Sequence, residues 1–272
     1  MRIGFFAHKK ETAVQPEYPD YAEEKVEKKV PRKSVVQVYF PDRNYTLAYY
    51  NDLFDLDEGD KVYVDGKLAG QLGIVVEVNY NFKINLSRYK RVIALVDTTV
   101  HGEFFLTPKY VMTFTPHTLA PSQIVRWYKA PPTEEDAFVS GSDDSSFPLD
   151  HMEDMDIRPA IRGRGYDYYH GNHVKYLCLD GTKGYAIVQG TEAYEVEFQY
   201  VDGHISDLTC TCFCSYHCKH EYATLLMLRD ILAEIERSYE DAFKKFGYVA
   251  CLNKQTFVSV AIMEQNTGRL KV

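Results

Sequence analysis

The sequence lacks an apolar run long enough to cross a membrane. Its longest apolar stretches, such as residues 223–228, fall far short of the roughly 20 residues that a spanning helix needs. The N-terminal stretch MRIGFFAHKK has no basic region ahead of a long apolar segment and no cleavage site, so it is unlike a secretory signal. We therefore expect a cytoplasmic protein with no membrane partner.

Motifs of the common enzyme classes are missing as well. The chain contains no GxxxxGK[ST] phosphate loop, no GxSxG elbow and no GxGxxG fingerprint. The pair His220-Glu221 begins like a metalloprotease helix, but Thr224 stands where the second histidine belongs. The sequence thus predicts a protein that is not an enzyme, and no small-molecule substrate is evident.

Acidic charge is concentrated in one segment. The net charge is −8, and residues 131–157 hold nine acidic residues and no lysine or arginine. The rest of the chain holds 30 of the 39 acidic residues and all 31 basic residues. The remaining chain is nearly neutral, which permits nucleic-acid binding through a local patch without requiring it.

The pattern of apolar residues predicts an α+β protein in four parts. Short runs rich in β-branched and aromatic residues, such as VVQVYF and GIVVEV, predict strands in the first half. An uninterrupted apolar stripe predicts one long helix over residues 217–246, capped by Gly247. The predicted parts are a polar N-terminal arm (1–34), a small β-barrel (35–129), an acidic linker (130–158) and a C-terminal domain (159–272) with a β-sheet and the long helix.

The unit EGDKVYVDGKLAGQLGIVVEV, residues 58–78, has glycines between two predicted strands. It resembles the KOW-type strand–loop–strand unit of small Src-homology-3-type barrels. Such a resemblance implies a barrel that binds RNA or protein, although a fold alone does not fix function.

Four of the six cysteines lie within nine residues, in the run CTCFCSYHCKH. A Cys-x-Cys pair at a strand end and a Cys-x-His pair at a helix start supply the four sulfur and nitrogen ligands that zinc prefers. We predict one structural zinc ion bound by Cys210, Cys212, Cys218 and His220. Cys214 and His217 lie between the pairs and are alternative ligands.

The pattern Cys-x-Cys-x(n)-Cys-x-His, after a predicted hairpin at Asp202-Gly203 and before a helix, resembles the bacterial SWIM-type zinc finger. The similarity covers roughly residues 162–235, with a short five-residue gap between the ligand pairs. The resemblance implies a zinc-binding ββα arrangement and a role in DNA or protein interaction.

The run NYNFKINLSRYKRV, residues 79–92, interleaves aromatic and basic side chains, an arrangement that suits single-stranded nucleic acid. The candidate contacts are Lys83, Arg88, Tyr89, Lys90 and Arg91. The same run also fits a strand edge protected by charge. Two functions follow: a module that binds DNA or RNA or assists a nucleic-acid-processing complex, or a zinc-stabilised adaptor that binds a protein partner without touching nucleic acid.

Overall fold

The structure is a computed structural model that describes residues 31–132, 139, 141, 145–258 and 268–271. The chain forms two compact units, Met1–Leu95 and Val96–Val272, which are described separately. Each unit contains one sheet, and both sheets are antiparallel apart from one parallel pair at an edge. Together with one long helix, this confirms the expectation of a mixed α and β protein.

The first unit contains a five-stranded sheet. Its strands are β1 (Ser34–Phe40), β2 (Tyr45–Asn51), β3 (Lys61–Val64), β4 (Gly73–Asn79) and β5 (Val92–Val96). They are hydrogen-bonded in the order β2-β1-β4-β3-β5. Strand β1 shows the period of two that a half-buried strand requires, because Val36, Val38 and Phe40 enter the core while the residues between them are partly exposed.

The segment before β5 also contacts the opposite edge strand of the first sheet. The backbone N–H of Tyr50 in β2 donates to the carbonyl of Lys90 at 2.9 Å. The N–H of Asp65, just after β3, donates to the carbonyl of Arg91 at 2.8 Å. The two residues Lys90 and Arg91 are therefore held by backbone hydrogen bonds from both sides.

The second unit contains a nine-stranded sheet. Its strands are β6 (Gly102–Leu106), β7 (Tyr110–Thr113), β8 (Ser146–Pro148), β9 (Val174–Asp180), β10 (Lys183–Gln189), β11 (Ala193–Val201), β12 (His204–Cys210), β13 (Tyr248–Asn253) and β14 (Gly268–Lys271). They are paired in the order β14-β6-β7-β13-β9-β10-β11-β12-β8. The β11–β12 hairpin turns at Asp202-Gly203, where φ is 48° and 84°, as predicted for this dipeptide.

Helices and a buried loop cover the two faces of the second sheet. The helices are α1 (Pro121–Ile124), α2 (Pro159–His170), α3 (Lys219–Glu234), α4 (Glu240–Phe246) and α5 (Lys254–Phe257). Neighbouring residues of β11 point to opposite faces, and Tyr194 stacks on His220 of α3 while Glu195 pairs with Lys129. On the Lys129 side, the hydroxyls of Tyr176 and Tyr248 donate to the Leu119 carbonyl.

The predicted long helix is present, with two differences. It begins at Lys219 because the Cys218 side chain caps its first turn, and a π-helical turn at Ile235–Tyr239 separates α3 from α4. The Tyr239 ring of this turn lies 5.3 Å from the Phe105 ring and 5.7 Å from the Phe114 ring. Gly247 ends α4 in the left-handed conformation, with φ of 60°, as predicted.

The boundary between the units lies at Leu95, not at residue 129 as the sequence analysis has it. Strand β6 is absent from the predicted strands, and β7 pairs with β13, about 140 residues later in the chain. Pairing between such distant segments leaves no local sequence signal, so the predicted barrel (35–129) wrongly includes residues that belong to the second unit. The predicted barrel itself is taken up under Proposed function.

The segment predicted to be an acidic linker is partly built into the second unit. Residues 133–138, 140 and 142–144 lie outside the described part, but Phe147 belongs to β8, which pairs with β12. Leu149 and Met152 are buried in the 3-10 helix that follows. These apolar side chains attach the C-terminal half of the acidic run to the second unit through their burial. Residues 1–30 of the predicted arm lie outside the described range, whereas residues 31–34 lie within it and Ser34 is buried in β1.

Two further elements differ from the expected strands. Residues 159–170 form helix α2 although they contain two glycines and show no apolar stripe. The sequence TFVSVAIME, residues 256–264, is rich in β-branched residues, as is typical of a strand, yet Thr256 and Phe257 lie in α5, and residues 259–267 lie outside the described range. In α2 the missing apolar stripe is replaced by close contact with α3 at Gly165, the helix's one buried residue.

Gly165 allows α2 to approach α3 and thereby positions the residues described below. A Cβ there would lie 2.8 Å from the Tyr222 ring and 3.2 Å from the Lys219 carbonyl. We expect Gly165→Ala to lower the free energy of unfolding by about 1–3 kcal/mol through overpacking. Gly163→Ala is the matched control, because its Cβ meets nothing within 4 Å and should add about 0.5–1 kcal/mol of helix stability. Urea unfolding measures both, and equal effects would contradict this account of the contact.

Candidate metal centre

The four predicted ligands come together in the second unit. The ligand atoms of Cys210, Cys212, Cys218 and His220 all lie within 4.8 Å of one another. The Nδ1 atom of His220 lies 3.7 Å from the sulfur of Cys210 and 3.7 Å from that of Cys218. A tetrahedral zinc ion with ordinary bond lengths requires sulfur–nitrogen separations of about 3.6 Å. The donor set and its spacing therefore fit one zinc ion, and Nδ1 is the ring nitrogen that would bind it.

The first ligand pair is held by strand β11. Cys210 is the last residue of β12 and lies opposite Val196. The next residue, Thr211, donates its N–H to the Glu195 carbonyl at 3.0 Å and accepts from the Glu195 N–H through its hydroxyl at 2.9 Å. These two bonds fix the backbone between Cys210 and Cys212, which sets the direction of both thiols.

The second pair is fixed by the start of α3. The sulfur of Cys218 accepts a hydrogen bond from the N–H of Glu221 at 3.5 Å, and the Glu221 carboxylate accepts from the N–H of Cys218 at 2.9 Å. This is a capping box with cysteine in the place usually taken by serine or threonine. The positive end of the helix dipole also favours a thiolate at this position.

Two aromatic rings pack against the imidazole of His220. Tyr194 stacks on its imidazole with centroids 4.3 Å apart, and Tyr168 meets it edge-on at 5.4 Å. Gly190 allows this packing, because a Cβ there would lie 2.9 Å from the Tyr194 ring and 3.4 Å from Nε2 of His220. The ring orientation that points Nδ1 at the sulfurs is therefore set by packing.

The protonation of the metal-free cluster follows from its burial. Burial lowers the pKa of His220 to about 4, so the ring is neutral at pH 7 and Nδ1 can act as a ligand. Burial raises the pKa of Cys212 to about 12, and a hydrogen bond with Cys210 together with burial raises the pKa of Cys218. Without a cation these thiols stay protonated. A bound metal ion would reverse this preference by stabilising the thiolates.

The two alternative ligands occupy other environments. Cys214 is exposed and lies outside the group of four. His217 places its Nδ1 3.0 Å from the carboxylate of Glu221, the same carboxylate that accepts from Cys218. His217 therefore contacts the cluster through Glu221. Sequence reasoning missed Glu221 as a supporting residue, although the spacing Cys218-x-x-Glu221 is that of a capping box.

The candidate nucleic-acid residues all lie in the first unit and fall into two groups. Arg91 is 2.6 Å from the carboxylate of Asp52, and its guanidinium lies over the Tyr50 ring at 5.1 Å. Lys90 lies 3.7 Å from the Asp65 carboxylate. In contrast, the exposed Lys83 and Arg88 form no ion pair with the described residues, and Tyr89 is partly buried. Two of the four candidate basic side chains, Lys90 and Arg91, are thus paired with carboxylates of the first unit.

Comparison with known proteins finds no match for this chain. No family model matches the chain, and no curated protein or solved structure matches it. In the part of the chain that the structure describes, no helix has the length and hydrophobicity needed to span a membrane. The site must therefore be interpreted from its own geometry.

The four clustered residues can be distinguished from the two alternatives by substitution. We expect Cys210→Ser, Cys212→Ser, Cys218→Ser and His220→Ala each to lower the bound zinc below one ion per chain under competition with a chelator, because each removes one of four ligands. Cys214→Ser and His217→Ala should keep one zinc per chain. Metal analysis after gel filtration measures the stoichiometry. Loss of zinc from the Cys214 variant alone would contradict the assignment.

Proposed function

We propose that this chain is a non-enzymatic binding module held together by one structural zinc ion. The observation that carries the proposal is the Cys3His cluster, in which four soft or borderline ligand atoms lie within 4.8 Å of one another. Four protein ligands fill a tetrahedral shell, whereas catalytic zinc keeps one position open for water. A closed shell therefore favours a structural role.

The module is of SWIM type in this proposal. Support comes from the order of elements around the ligands: the hairpin β11–β12 delivers Cys210, and α3 begins directly after Cys218. The ββα succession and the Cys-x-Cys and Cys-x-His pairs are those of the resemblance stated above. Helix α2, which packs on α3, adds a further element that the ββα pattern does not include.

Removing the metal should destabilise the second unit. A structural zinc ion contributes on the order of 10 kcal/mol to the folding of such elements, which exceeds the stability of many whole domains. We expect a chelator to lower the melting temperature and to abolish the helical circular dichroism of α3, and added zinc should restore both. The control is Cys210→Ser, in which the chelator should cause no further change. If the chelator left the melting curve of the wild type unchanged, the structural role of the metal would be contradicted.

The partner in this proposal is nucleic acid, either bound directly or within a larger nucleic-acid-processing complex. The first unit supports it in two ways. Backbone bonds from both sides of the sheet to Lys90 and Arg91 agree with the proposed small barrel of KOW type. Two further cations of the basic run, Lys83 and Arg88, are exposed and unpaired among the described residues, so they can contact phosphates without first breaking an ion pair.

A protein adaptor is the second candidate. The observation that favours it is the neutralisation of Arg91 by Asp52 and of Lys90 by Asp65. The net charge of −8 acts in the same direction, because long-range repulsion slows the approach of a polyanion. The adaptor would use the same zinc-stabilised unit without touching nucleic acid.

Salt-dependent binding distinguishes these two functions. We expect the zinc-loaded protein to bind single-stranded DNA or RNA in fluorescence anisotropy, with affinity falling between about 50 and 200 mM salt because bound phosphates displace counterions. The double variant Lys83→Ala/Arg88→Ala should reduce the slope of log K against log salt by about 1.4, that is, about 0.7 per lost phosphate contact.

The matched control removes the same charge elsewhere in the first unit. Arg43→Ala/Lys67→Ala deletes two exposed cations outside the basic run and should leave the slope nearly unchanged. Absence of binding to single-stranded DNA, duplex DNA and RNA at low salt would overturn the nucleic-acid function and favour the adaptor.

A further inference from the structure

The loop between the two ligand pairs exposes two aromatic rings. We call residues 213–217 the ligand loop. Phe213 is fully exposed and Tyr216 is 74% exposed, which makes them the most exposed aromatic side chains among the described residues. Burial of such a ring stabilises a protein, so folding alone does not account for two of them in water within four residues of each other. Their exposure indicates a binding surface.

The ligand loop is held at both ends. Cys212 precedes it and Cys218 follows it, and both belong to the cluster of four. His217, the last residue of the loop, is fixed through its contact with Glu221 and its edge-on packing against the Phe147 ring at 6.3 Å. A short loop fixed in this way presents its rings with little conformational entropy left to lose on binding.

Cations lie beside aromatic rings on both sides of the ligand loop. The guanidinium of Arg158, just before α2, lies 5.7 Å from the centre of the Tyr216 ring. Lys219, the first residue of α3, lies over the Tyr168 ring at 4.2 Å. Neither cation is in an ion pair with a carboxylate within the described ranges. The sequence between Asp207 and Glu221 contains no acidic residue.

These features favour nucleic-acid bases over a protein surface. Two aromatic side chains bury about 150–250 Å² each, so together they fall well short of the roughly 800 Å² per partner of a stable protein interface. The loop residues between the rings, Cys214 and Ser215, are exposed and interrupt any continuous apolar patch. Stacking of one base on each ring needs no such patch, and neighbouring cations suit the phosphates.

We propose that the ligand loop is a stacking platform for single-stranded nucleic acid, with Phe213 and Tyr216 each receiving a base and with Arg158 and Lys219 contacting phosphates. This inference rests on the proposed function and adds to it a second contact surface, in the unit that holds the metal cluster. The metal would act on this surface only indirectly, by fixing the ends of the loop.

The test measures binding of the zinc-loaded full chain to single-stranded RNA and DNA oligonucleotides of about 12 bases. We expect Phe213→Ala and Tyr216→Ala each to weaken binding about tenfold, in keeping with the effect of removing one base–aromatic stack, without changing the salt slope. Tyr216→Phe should keep wild-type affinity, since it retains the ring. Arg158→Gln should instead reduce the salt slope by about 0.7.

The matched control is Phe246→Ala. Phe246 is also an exposed aromatic residue with a cation over its ring, Lys245 at 4.9 Å, but it lies at the end of α4. Its loss should leave affinity unchanged. Zinc content and the melting curve of every variant must match the wild type, so that a weakened interaction reports on the surface and not on folding.

Each outcome decides one of the two proposals. Weakened binding in the Phe213 and Tyr216 variants, with an unchanged Phe246 control, supports the stacking platform. Wild-type affinity for nucleic acid in both loop variants overturns the platform but not nucleic-acid binding by the protein. The same conclusion follows if these variants keep their nucleic-acid affinity but lose binding to a protein partner. No binding of the wild type to any oligonucleotide at low salt overturns both.

Discussion

Cys218 joins the metal cluster to the start of helix α3, and much of the second unit depends on this junction. Its sulfur is one of the four clustered ligand atoms and also caps the helix by accepting from the N–H of Glu221. The position of the cluster therefore fixes where α3 begins and which face it turns to the sheet. Because Leu225, Leu228 and Ile231 are buried on that face, an error at the cap would displace apolar side chains along the helix.

The cluster also depends on packing that no ligand motif contains. His220 is held between Tyr194 of β11 and Tyr168 of α2, so three separate elements determine the direction of one ring nitrogen. Helix α2 reaches this position because Gly165 admits Tyr222. The low intrinsic helix propensity of α2 is thus offset by its contacts with α3.

Local chemistry made some features predictable from the sequence, and long-range pairing hid others. The four clustered residues, the turn at Asp202-Gly203 and the left-handed Gly247 follow from ligand spacing and backbone preference, which act over a few residues. The sheet that contains β6 and β7 is determined by β13, more than 130 residues away, and no periodicity records that choice. Helix α2 escaped prediction because its stability comes from α3. Glu221 could have been found, because its spacing from Cys218 is that of a capping box.

The cations of the proposed contact surfaces differ in whether a carboxylate pairs with them, and this difference bears on the choice between nucleic acid and protein as partner. A lysine or arginine in an ion pair must leave its carboxylate before it can contact a phosphate, so much of the electrostatic gain is cancelled. Arg91 and Lys90 are in this situation, whereas Arg158 and Lys219 lie on aromatic faces and keep their charge available. Ion pairs on the surface contribute only about 0–1 kcal/mol to stability, so breaking one lowers the binding free energy by a small amount. Nucleic-acid affinity should therefore come more from unpaired cations beside exposed rings than from the number of basic residues.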